Sequence, residues 1–382
     1  MACSYLAKRF QHLQASFALN TEALAKFSDI IDLSIGDPDL ITNAQVIDAA
    51  CRDAHAGYTR YGDPQGDPAL RQAIAQAWQA DYAQTLTQEE ILVTSSSSVA
   101  MVLALTAILN PGDEVIVFSP CFPVYRQQIE LVGGVCVEVP TYAAEGFALS
   151  AQRLQEAITP RTRAMIFNNP CNPSGKVYTM AEYDIIARAA QQHRLLVLAD
   201  EIYTSYLFSG SFVPFRTLPD MAARTVTLKS FSKDYLMSGW RIGYAIAPPE
   251  LLQAMQYINS ALIYTAPAPS QRAALAALQR RKELRQNNAV FLQRSAYATA
   301  RIRNIPYLDL VAPQGTFYLF PDAKRTGLSS QAFCQTLLTQ AHILVSPGHV
   351  FGCTGQGHFR IACTVGMDAL QAAFDRMEQL KF

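Results

Sequence analysis

The sequence has little charge and no excess of either sign. Of its 382 residues, 16% are charged, against ~25% in an average soluble protein. The 31 basic residues balance 31 acidic ones, so the composition gives no indication of binding to nucleic acid or to an anionic membrane. Half of the residues are hydrophobic, which excludes disorder as the main state and is enough for a large core.

Paired cysteines and long apolar runs are also missing. The eight cysteines are scattered, and no two of them form a CxxC pair, which is typical of reduced thiols in a reducing compartment. The first 20 residues contain no apolar stretch long enough for a signal peptide. The most apolar run, 99–109, is shorter than the ~20 residues that cross a bilayer. We therefore expect a soluble, cytoplasmic protein.

Between residues 90 and 250, short apolar runs alternate with longer helical patterns. The runs, rich in β-branched residues, predict strands at 91–93, 115–118, 135–139, 164–167, 195–199, 226–228 and 242–247. Helices are predicted at 98–109, 123–132, 150–157 and 179–192. Strands that are apolar on both faces and separated by helices are typical of a mainly parallel sheet covered on both sides. We expect an α/β fold with a three-layer αβα large domain, and a binding site beyond the carboxyl ends of its strands.

After residue 250 the pattern changes to long helical stretches at 250–260 and 270–300, followed by short strands near 308–311, 316–320 and 359–363. This indicates a smaller α+β domain, which the segment 31–35 is expected to complete. No low-complexity linker separates the two domains, so we expect them to share a long helix. The predicted divisions are 1–46 for an N-terminal arm and part of the small domain, 47–284 for the large domain, and 285–382 for the small C-terminal domain.

The strongest motif is SFSK at 230–233, which ends in Lys233 and is followed eight residues later by Arg241. The chain has only eight lysines, and this one follows a predicted strand in a hydroxyl-rich loop. A lysine held in an enclosed polar site is suited to forming a Schiff base with a carbonyl compound. Arg241 and nearby hydroxyls, such as that of Ser230, suit a phosphate. Lys229 is a rival that spacing alone does not exclude, and a solvated surface lysine is the ordinary alternative.

Two other strand ends carry polar residues. Asp200 ends an apolar strand, where a buried carboxylate needs a cationic or hydrogen-bond-donating partner; helix N-capping is the alternative. The four serines at 95–98 begin an apolar helix. Their hydroxyls and the free N–H groups of the helix start suit an anion such as phosphate, although one of them could simply cap the helix.

The segment NNPCNPSG at 168–175 directly follows the strand predicted at 164–167. Its prolines and glycine fix a rigid turn, in which a central amide such as that of Asn172 is held to donate one hydrogen bond. An ordinary Asn-Pro turn is the alternative for each half, but the doubled form is rarer.

Taken in this order, the motifs resemble the pyridoxal-phosphate-dependent aminotransferases of fold type I, the class I/II, aspartate-aminotransferase-like family, from Gly36 to Arg360. The resemblance implies that pyridoxal 5′-phosphate is held as an internal aldimine at Lys233, and that an amino group moves between an L-amino acid and a 2-oxo acid. It implies that Asp200 partners the pyridine nitrogen and that Tyr203 and Asn172 donate to the phenolic oxygen. The remaining cofactor contacts that it implies are Ser96, Ser97, Ser98, Ser230 and Arg241 around the phosphate and Phe122 stacked on the ring.

The resemblance also implies substrate contacts and a partner subunit. Arg360, in GHFRI at 357–361, corresponds to the arginine that grips the substrate α-carboxylate, with Gly36 and Asn172 beside it. Tyr61 corresponds to the tyrosine that reaches the phosphate of the neighbouring subunit's cofactor. We therefore expect a homodimer whose active sites are shared across the interface.

Some positions depart from the family pattern. The serine run stands where the family usually has one or two glycines, and His349 stands where it usually has a small residue. No second arginine is recognisable for a side-chain carboxylate. The other pocket candidates, Ile35, Leu40 and Tyr264, mix apolar and polar groups with His349, so we do not expect specificity for aspartate or glutamate.

Other functions stay open at this point. The same scaffold and lysine serve β- and γ-eliminases, lyases and cyclases, whose substrates supply a leaving group. A non-catalytic sensor in a transcription regulator would need a DNA-binding segment before residue 31. Zinc is a further alternative, because His349, Cys353, His358 and Cys363 lie close together in the sequence. Their spacing does not match paired zinc ligands, so no metal is expected.

Overall fold

The computed structural model describes residues 26–286 and 288–382. Its strands, in chain order, are β1 (Ile31–Asp32), β2 (Ile91–Thr94), β3 (Glu114–Ser119), β4 (Val135–Pro140), β5 (Thr162–Asn168), β6 (Leu196–Asp200), β7 (Thr225–Ser230), β8 (Gly243–Ile246), β9 (Tyr318–Leu319), β10 (Ile343–Leu344), β11 (Ser346–Pro347) and β12 (Phe359–Ala362). Its helices are α1 (Ala44–His55), α2 (Pro68–Tyr82), α3 (Ser97–Ile108), α4 (Val124–Leu131), α5 (Ala151–Ala157), α6 (Met180–His193), α7 (Phe231–Asp234), α8 (Pro249–Leu262), α9 (Ala268–Gln279), α10 (Arg281–Gln286), α11 (Ala289–Arg303), α12 (Ser330–Ala341) and α13 (Met367–Glu378).

Strands β2 to β8 form one central sheet in the order β2-β8-β7-β6-β5-β3-β4. Strand β8 runs antiparallel to both of its neighbours, and all other pairs in this sheet are parallel. The seven strands match the seven predicted ones to within two residues at each end. The prediction of an α/β fold with a mostly parallel sheet is therefore confirmed.

Helices cover both faces of this sheet. Along β3, Val115 and Val117 pack against α3, α4 and α8 on one face. The alternate residues, Ile116 and Phe118, pack against α5 and α6 on the other face. Because both faces are buried, the strands are apolar at nearly every position, which is the pattern that identified them. The molecule has the three expected layers here.

A second core packs smaller sheets against α11, α12 and α13. Strand β1 pairs in parallel with β10, and β11, β12 and β9 form an antiparallel sheet. The strand predicted at 308–311 is wrong, because Asp309 makes a single bridge, to Asp322, and is not part of a described strand. Pro306 and Pro313 flank this segment and lack the N–H groups that a longer ladder needs.

The long helix predicted at 270–300 is also not continuous. Its described residues form α9, α10 and α11. In α10, Arg281 and Arg285 bind Asp81 of α2 at 3.3 and 2.7 Å, so ion pairs to another helix fix the direction of this short segment. The divisions at 46/47 and 284/285 stay a prediction, and residues 1–25 of the predicted N-terminal arm lie outside the described residues.

In the described part of the chain, no helix combines the length and the hydrophobicity that a membrane crossing would require.

Candidate active site

A cavity of about 1100 Å³ opens beyond the carboxyl ends of β5, β6 and β7. The last residues of these strands, Asn168, Asp200 and Ser230, form with Lys233 what we call the sheet wall. Facing them is a second wall, which we call the cap wall and define by Gly36, Tyr318 and Arg360. The predicted site residues that line this cavity are Gly36, Ser96, Ser97, Ser98, Phe122, Asn172, Asp200, Tyr203, Ser230, Lys233, Arg241 and Arg360.

Lys233 lies in the short helix α7, which begins directly after β7. The hydroxyl of Ser230 caps this helix by accepting a hydrogen bond from the backbone N–H of Ser232 at 3.0 Å. The amine of Lys233 donates to the carbonyl oxygen of Gly36 at 2.5 Å. Burial lowers the pKa of Lys233 to about 8 against the raising effect of the Asp37 carboxylate, and the charges of Arg360 and Arg241 also lower it. A share of this amine is therefore neutral near pH 7 to 8, as a nucleophile or general base requires.

Lys229, the rival lysine, does not line the cavity. It precedes Ser230 in β7, and successive residues of a strand face opposite sides. Its buried amine donates to the carbonyl oxygen of Glu201 at 2.8 Å and to the hydroxyl of Thr204 at 2.7 Å. The geometry therefore favours Lys233 over Lys229 as the amine that reacts in the cavity.

Asp200 presents a buried carboxylate at the end of β6. Its Oδ2 accepts a hydrogen bond from the hydroxyl of Tyr125, while its Oδ1 is buried without a hydrogen-bond partner among the described residues. Burial raises the pKa of Asp200 to about 6, against the lowering effects of Tyr125 and Lys229. A positively charged N–H group in the cavity would complete this site and keep the carboxylate ionised.

The start of α3 forms one end of the cavity. Ser96 caps the helix through a hydrogen bond from the N–H of Val99 at 3.3 Å. Ser97 and Ser98 occupy the first turn, whose N–H groups have no acceptor within a helix. Together with Arg241 and Ser230, these groups offer hydroxyl, N–H and guanidinium donors to an anion. Sequence reasoning also missed Gly243. A Cβ at this position would lie 2.6 Å from the backbone nitrogen of Ser97, so glycine is needed for β8 to lie this close to the start of α3.

Asn172 and Tyr203 lie between the two walls. Asn172 is fixed by its N–H, which donates to Oδ1 of Asn168 at 2.7 Å, and its own Oδ1 accepts from Arg360 at 3.0 Å. The hydroxyl of Tyr203 lies 3.2 Å from that of Tyr318. Burial raises the pKa of Tyr203, so its hydroxyl stays protonated and is able to donate a hydrogen bond. Both side chains are therefore held in position inside the cavity.

The guanidinium of Arg360 is the charged group of the cap wall, and several contacts hold it in place. Its guanidinium donates to the carbonyl oxygen of Ser34 and to the hydroxyl of Ser346, and it stacks 4.6 Å from the ring centre of Tyr318. A Cβ at Gly36 would lie 1.7 Å from the hydroxyl of Tyr318. A planar guanidinium held against a ring in this way offers two parallel donors to a carboxylate, and only glycine leaves room beside it.

Two aromatic residues that line the cavity, Tyr318 and Tyr125, were not identified from the sequence. Tyr318 follows Thr316 in a segment that was assigned only as a strand, and Tyr125 lies one helical turn after Phe122. Phe122 itself lines the cavity, with its ring 5.7 Å from that of Tyr125. Phe122 lies two residues before α4 begins, and the backbone N–H of Tyr125 donates to the carbonyl oxygen of Phe122 at 3.1 Å, so the turn that starts the helix was the available signal for Tyr125.

Tyr61 is not brought to the cavity. Its side chain is 87% exposed and its ring packs edge-on against that of Tyr264 at 5.4 Å. Of the four other pocket candidates, Ile35 and His349 line the cavity, whereas Leu40 and Tyr264 do not. In the single chain, Tyr61 is therefore separate from the other predicted site residues.

The histidine and cysteine cluster at 349–363 has other contacts. His358 is buried and stacks on Phe320 with a centroid distance of 4.8 Å, and the backbone of Cys353 bonds Glu138 at 2.6 Å. Among the described residues, no three histidine, cysteine or acidic side chains are grouped so that they could hold a metal ion.

Comparison with known proteins places this architecture in a family. The family model described as Aminotransferase class I and II matches residues 28–377. The chain is 35% identical to an arginine–pyruvate transaminase of Pseudomonas aeruginosa, over 95% of this chain and 93% of that protein. It is 34% identical to an aspartate aminotransferase of Pyrococcus abyssi, over 93% and 92% of the two chains. An aspartate aminotransferase structure from Thermus thermophilus superposes with a TM-score of 0.93 at 32% identity, covering 99% of this chain and all of that one (100%). The chain thus belongs to the class I and II aminotransferases and is an enzyme that transfers nitrogenous groups.

Proposed function

We propose that this aminotransferase uses pyridoxal 5′-phosphate, bound covalently through Lys233, to move an amino group between an L-amino acid and a 2-oxo acid. The observation that carries the proposal is that one cavity holds both a lysine amine and a buried carboxylate oxygen, Oδ1 of Asp200, that has no hydrogen-bond partner among the described residues. Few other cofactors need both a primary amine and an acidic partner for a ring nitrogen.

The donor set matches the chemical groups of pyridoxal phosphate. Asp200 would accept from the ring nitrogen, and Tyr203 and Asn172 would donate to the phenolic oxygen. Phe122 would lie on the ring. The phosphate would be held by Ser96, Ser97, Ser98, Ser230 and Arg241. Each charged group of the cofactor then has a partner of opposite charge or a hydrogen-bond donor.

When bound, pyridoxal phosphate supplies a carbonyl that condenses with primary amines and a ring that draws electrons from a neighbouring C–H bond. Arg360 would hold the α-carboxylate of the amino acid by two parallel hydrogen bonds. Nζ of Lys233 would take the proton from the substrate Cα as a general base and would then return it, as a general acid, to C4′ of the cofactor, which its pKa of about 8 suits. Asp200 would stay ionised and hold a proton on the ring nitrogen throughout.

The proposal includes a limit on the substrate. Among the described residues that line the cavity, the arginines are Arg241 and Arg360, and both have assigned roles. A second carboxylate on the substrate would therefore find no further arginine among the described residues that line the cavity. We propose that amino acids with uncharged side chains are used better than aspartate or glutamate.

We further infer that the enzyme acts as a homodimer in the cytoplasm. The homodimer is supported by large apolar side chains that are exposed in the single chain near the predicted interface tyrosine: Tyr61 at 87%, Leu262 at 62% and Tyr264 at 43%. A second copy would cover them, and Tyr61 would reach the partner's cofactor phosphate. Sedimentation of the loaded enzyme as a monomer would contradict this. The cytoplasmic location stays a prediction from the scattered cysteines.

One experiment tests the reaction. Holoenzyme is mixed with single amino acids, in the absence of any 2-oxo acid, and the absorbance spectrum and the products are followed. A transaminase converts its cofactor to the amine form and releases one equivalent of a 2-oxo acid per site. Release of ammonia or of a cyclised product, with the cofactor unchanged, would instead indicate an eliminase, lyase or cyclase.

A second experiment tests the lysine. Borohydride reduction of the holoenzyme, followed by peptide mapping, is expected to place the cofactor on Lys233. The variant Lys233→Ala is expected to lose the trapped adduct and at least about a thousandfold of the turnover. Lys282→Ala, at an exposed lysine, is the matched control. An adduct on Lys229 would contradict the assignment.

A further inference from the structure

Lys229 is a buried charged group that the proposed mechanism does not use. Its side chain is 6% exposed, and a buried ammonium persists only with hydrogen-bond partners and nearby negative charge. Burial lowers the pKa of Lys229, while the carboxylates of Asp234 and Glu201 act against this. Its position four residues before Lys233 raises the question of what this charge holds in place.

The hydrogen bonds of Lys229 lead to the segment after Asp200. Its amine donates to the carbonyl oxygen of Glu201 at 2.8 Å and to the hydroxyl of Thr204 at 2.7 Å. The hydroxyl of Thr204 in turn donates a hydrogen bond to Oδ2 of Asp234 at 2.9 Å. Asp234 directly follows Lys233, so an ammonium, a hydroxyl and a carboxylate connect β7, the segment after β6 and α7.

Other contacts fix the same short helix. The hydroxyl of Tyr206 donates to the carbonyl oxygen of Lys233 at 2.8 Å, and the backbone N–H of Ser205 donates to Oδ1 of Asp234 at 3.3 Å. Helix α7 has four residues, far fewer than a helix needs to be stable by itself. Its position therefore depends on these tertiary hydrogen bonds, and Lys229 and Thr204 are the pair that joins them to the strand.

We propose that Lys229 is a positioning residue: through Thr204 and Asp234 it holds the helix that presents the amine of Lys233 to the cavity. This inference rests on the proposed role of Lys233. Lys229 does not touch the reacting atoms. Its effect on the reaction is to keep Nζ of Lys233 at one distance from the substrate and away from bulk water.

The test compares Lys229→Met, which keeps the stem and removes the charge, with Thr204→Val, which removes the bridging hydroxyl. Lys282→Met, at an exposed lysine, is the control. We expect Lys229→Met to lower kcat by about tenfold or more, since small misplacements of a reacting group have large effects, and to change KM by less than about threefold. Thr204→Val should change kcat in the same direction, and Lys229→Arg should restore part of it.

A spectroscopic readout separates positioning from a loss of stability alone. The pH midpoint of the visible absorbance of the holoenzyme reports protonation of the Lys233 nitrogen that is bonded to the cofactor. It is expected to rise by about 0.5 to 1 unit in Lys229→Met and in the same direction in Thr204→Val, which removes no charge, because a less tightly held nitrogen is better hydrated and keeps its proton longer. The charged groups that act on Lys233 in this titration are Asp37, Arg360 and Arg241, and those that face Lys229 are Asp234, Glu201, Arg285 and Asp81.

Unchanged kcat and an unchanged midpoint in Lys229→Met, with only a lower Tm, would overturn the inference. If Lys229→Met does not fold, Thr204→Val decides: a wild-type kcat and midpoint in that variant overturn it equally. The borohydride adduct of the wild-type enzyme keeps the two proposals apart. An adduct on Lys233 with no effect of Thr204→Val contradicts only the positioning role, whereas an adduct elsewhere contradicts the proposed function itself.

Discussion

The two walls of the cavity are built in different ways. On the sheet wall, Asn168 and Asp200 are register partners at the ends of neighbouring parallel strands, so the backbone ladder brings their side chains together. On the cap wall, Tyr318 and Arg360 lie on the paired antiparallel strands β9 and β12, but Gly36 comes from a distant segment outside the described strands. It meets them through a side-chain contact, the close approach of the Tyr318 hydroxyl, and Arg360 stacks on the Tyr318 ring.

This difference has a functional consequence. The sheet wall carries the groups assigned to the cofactor, and the cap wall carries the groups assigned to the substrate carboxylate. Changes on the sheet wall should therefore act mainly on kcat, whereas changes on the cap wall should act mainly on KM. Substitutions on each wall test this difference.

The largest effect is expected on the sheet wall, for Asp200→Asn. The amide cannot carry the negative charge that would hold a proton on the cofactor ring, so kcat at pH 8 should fall about a hundredfold to a thousandfold, with KM little changed. Asp184→Asn, at an exposed ion pair, is the control. A kcat within about threefold of wild type would show that Asp200 is not the ring partner.

The same residue predicts a pH dependence. Burial raises the pKa of Asp200 to about 6, so the charge is present above this pH and is lost below it. The affinity of the apoenzyme for pyridoxal phosphate should therefore weaken as the pH falls from 7 to 5. The cofactor phosphate also titrates near pH 6, so the comparison with Asp200→Asn isolates the carboxylate: the variant should show the smaller change. An equal loss of cofactor affinity between pH 7 and pH 5 in the wild type and in Asp200→Asn would contradict the prediction.

On the cap wall, Arg360→Lys should raise KM for the amino acid about tenfold to a hundredfold, with a smaller change in kcat. Lysine keeps the charge but loses the planar pair of donors, and a hydrogen bond to a charged group is worth about 1.5 to 3 kcal/mol. Steady-state kinetics with one amino acid measure this. Arg325→Lys, at an exposed arginine that pairs with Asp309, is the control. A lower kcat at constant KM would break the contrast between the walls.

A smaller cap-wall effect is expected for Gly36→Ala. The new Cβ would overlap the hydroxyl of Tyr318 at 1.7 Å, and such overpacking typically destabilises by about 1 to 3 kcal/mol. Displacement of Tyr318 also moves the ring on which Arg360 rests, so KM should rise by about tenfold or less. The double variant Gly36→Ala/Tyr318→Phe removes the closest atom and should recover part of the loss. If the double variant recovers none of the loss, the overlap with the Tyr318 hydroxyl is not its cause.

The contrast between the walls also explains what the sequence could predict. Parallel strands covered on both faces have a distinctive apolar pattern, and their carboxyl ends lie along one edge of the sheet. The position of Asp200, Ser230 and Lys233 therefore follows from local pattern alone. Spacing could not choose between Lys229 and Lys233; the alternation of β7 and the cavity lining favour the second.

The cap wall was less predictable, because its contacts join residues that are far apart in the chain. Arg360 and Gly36 entered only through the family resemblance, and Tyr318 was missed. One contact on the sheet wall was unpredictable for the same reason: Tyr125 lies 75 residues from its partner Asp200, and no local periodicity indicates such a contact. Short strands such as β10 and β11, with two residues each, are likewise set by tertiary packing and not by propensity.

The smallest effect is expected at Ser96, at the anion end of the cavity, where the backbone adopts a conformation that serine disfavours. Ser96 has φ 115° and ψ 158°, a region that is nearly restricted to glycine and costs other residues about 1 to 3 kcal/mol. Replacing an N-cap serine by glycine loses only a few tenths of a kcal/mol. Ser96→Gly should therefore increase the free energy of unfolding by about 1 kcal/mol, seen as a rise of roughly 2 °C in Tm.

Ser150 provides the matched control for this prediction. It caps α5 through the same type of hydrogen bond, to the N–H of Arg153 at 3.3 Å, but with an ordinary φ of −96°. Ser150→Gly should therefore lower Tm slightly, while Ser96→Gly raises it. Because Ser96 also contributes a hydroxyl to the anion end of the cavity, Ser96→Gly should weaken cofactor binding by about threefold. Equal destabilisation by both variants would mean that the serine at 96 is not strained. A gain in stability together with weaker cofactor binding would show that the hydroxyl of Ser96 serves the anion end of the cavity, while its backbone conformation lowers the stability of the fold.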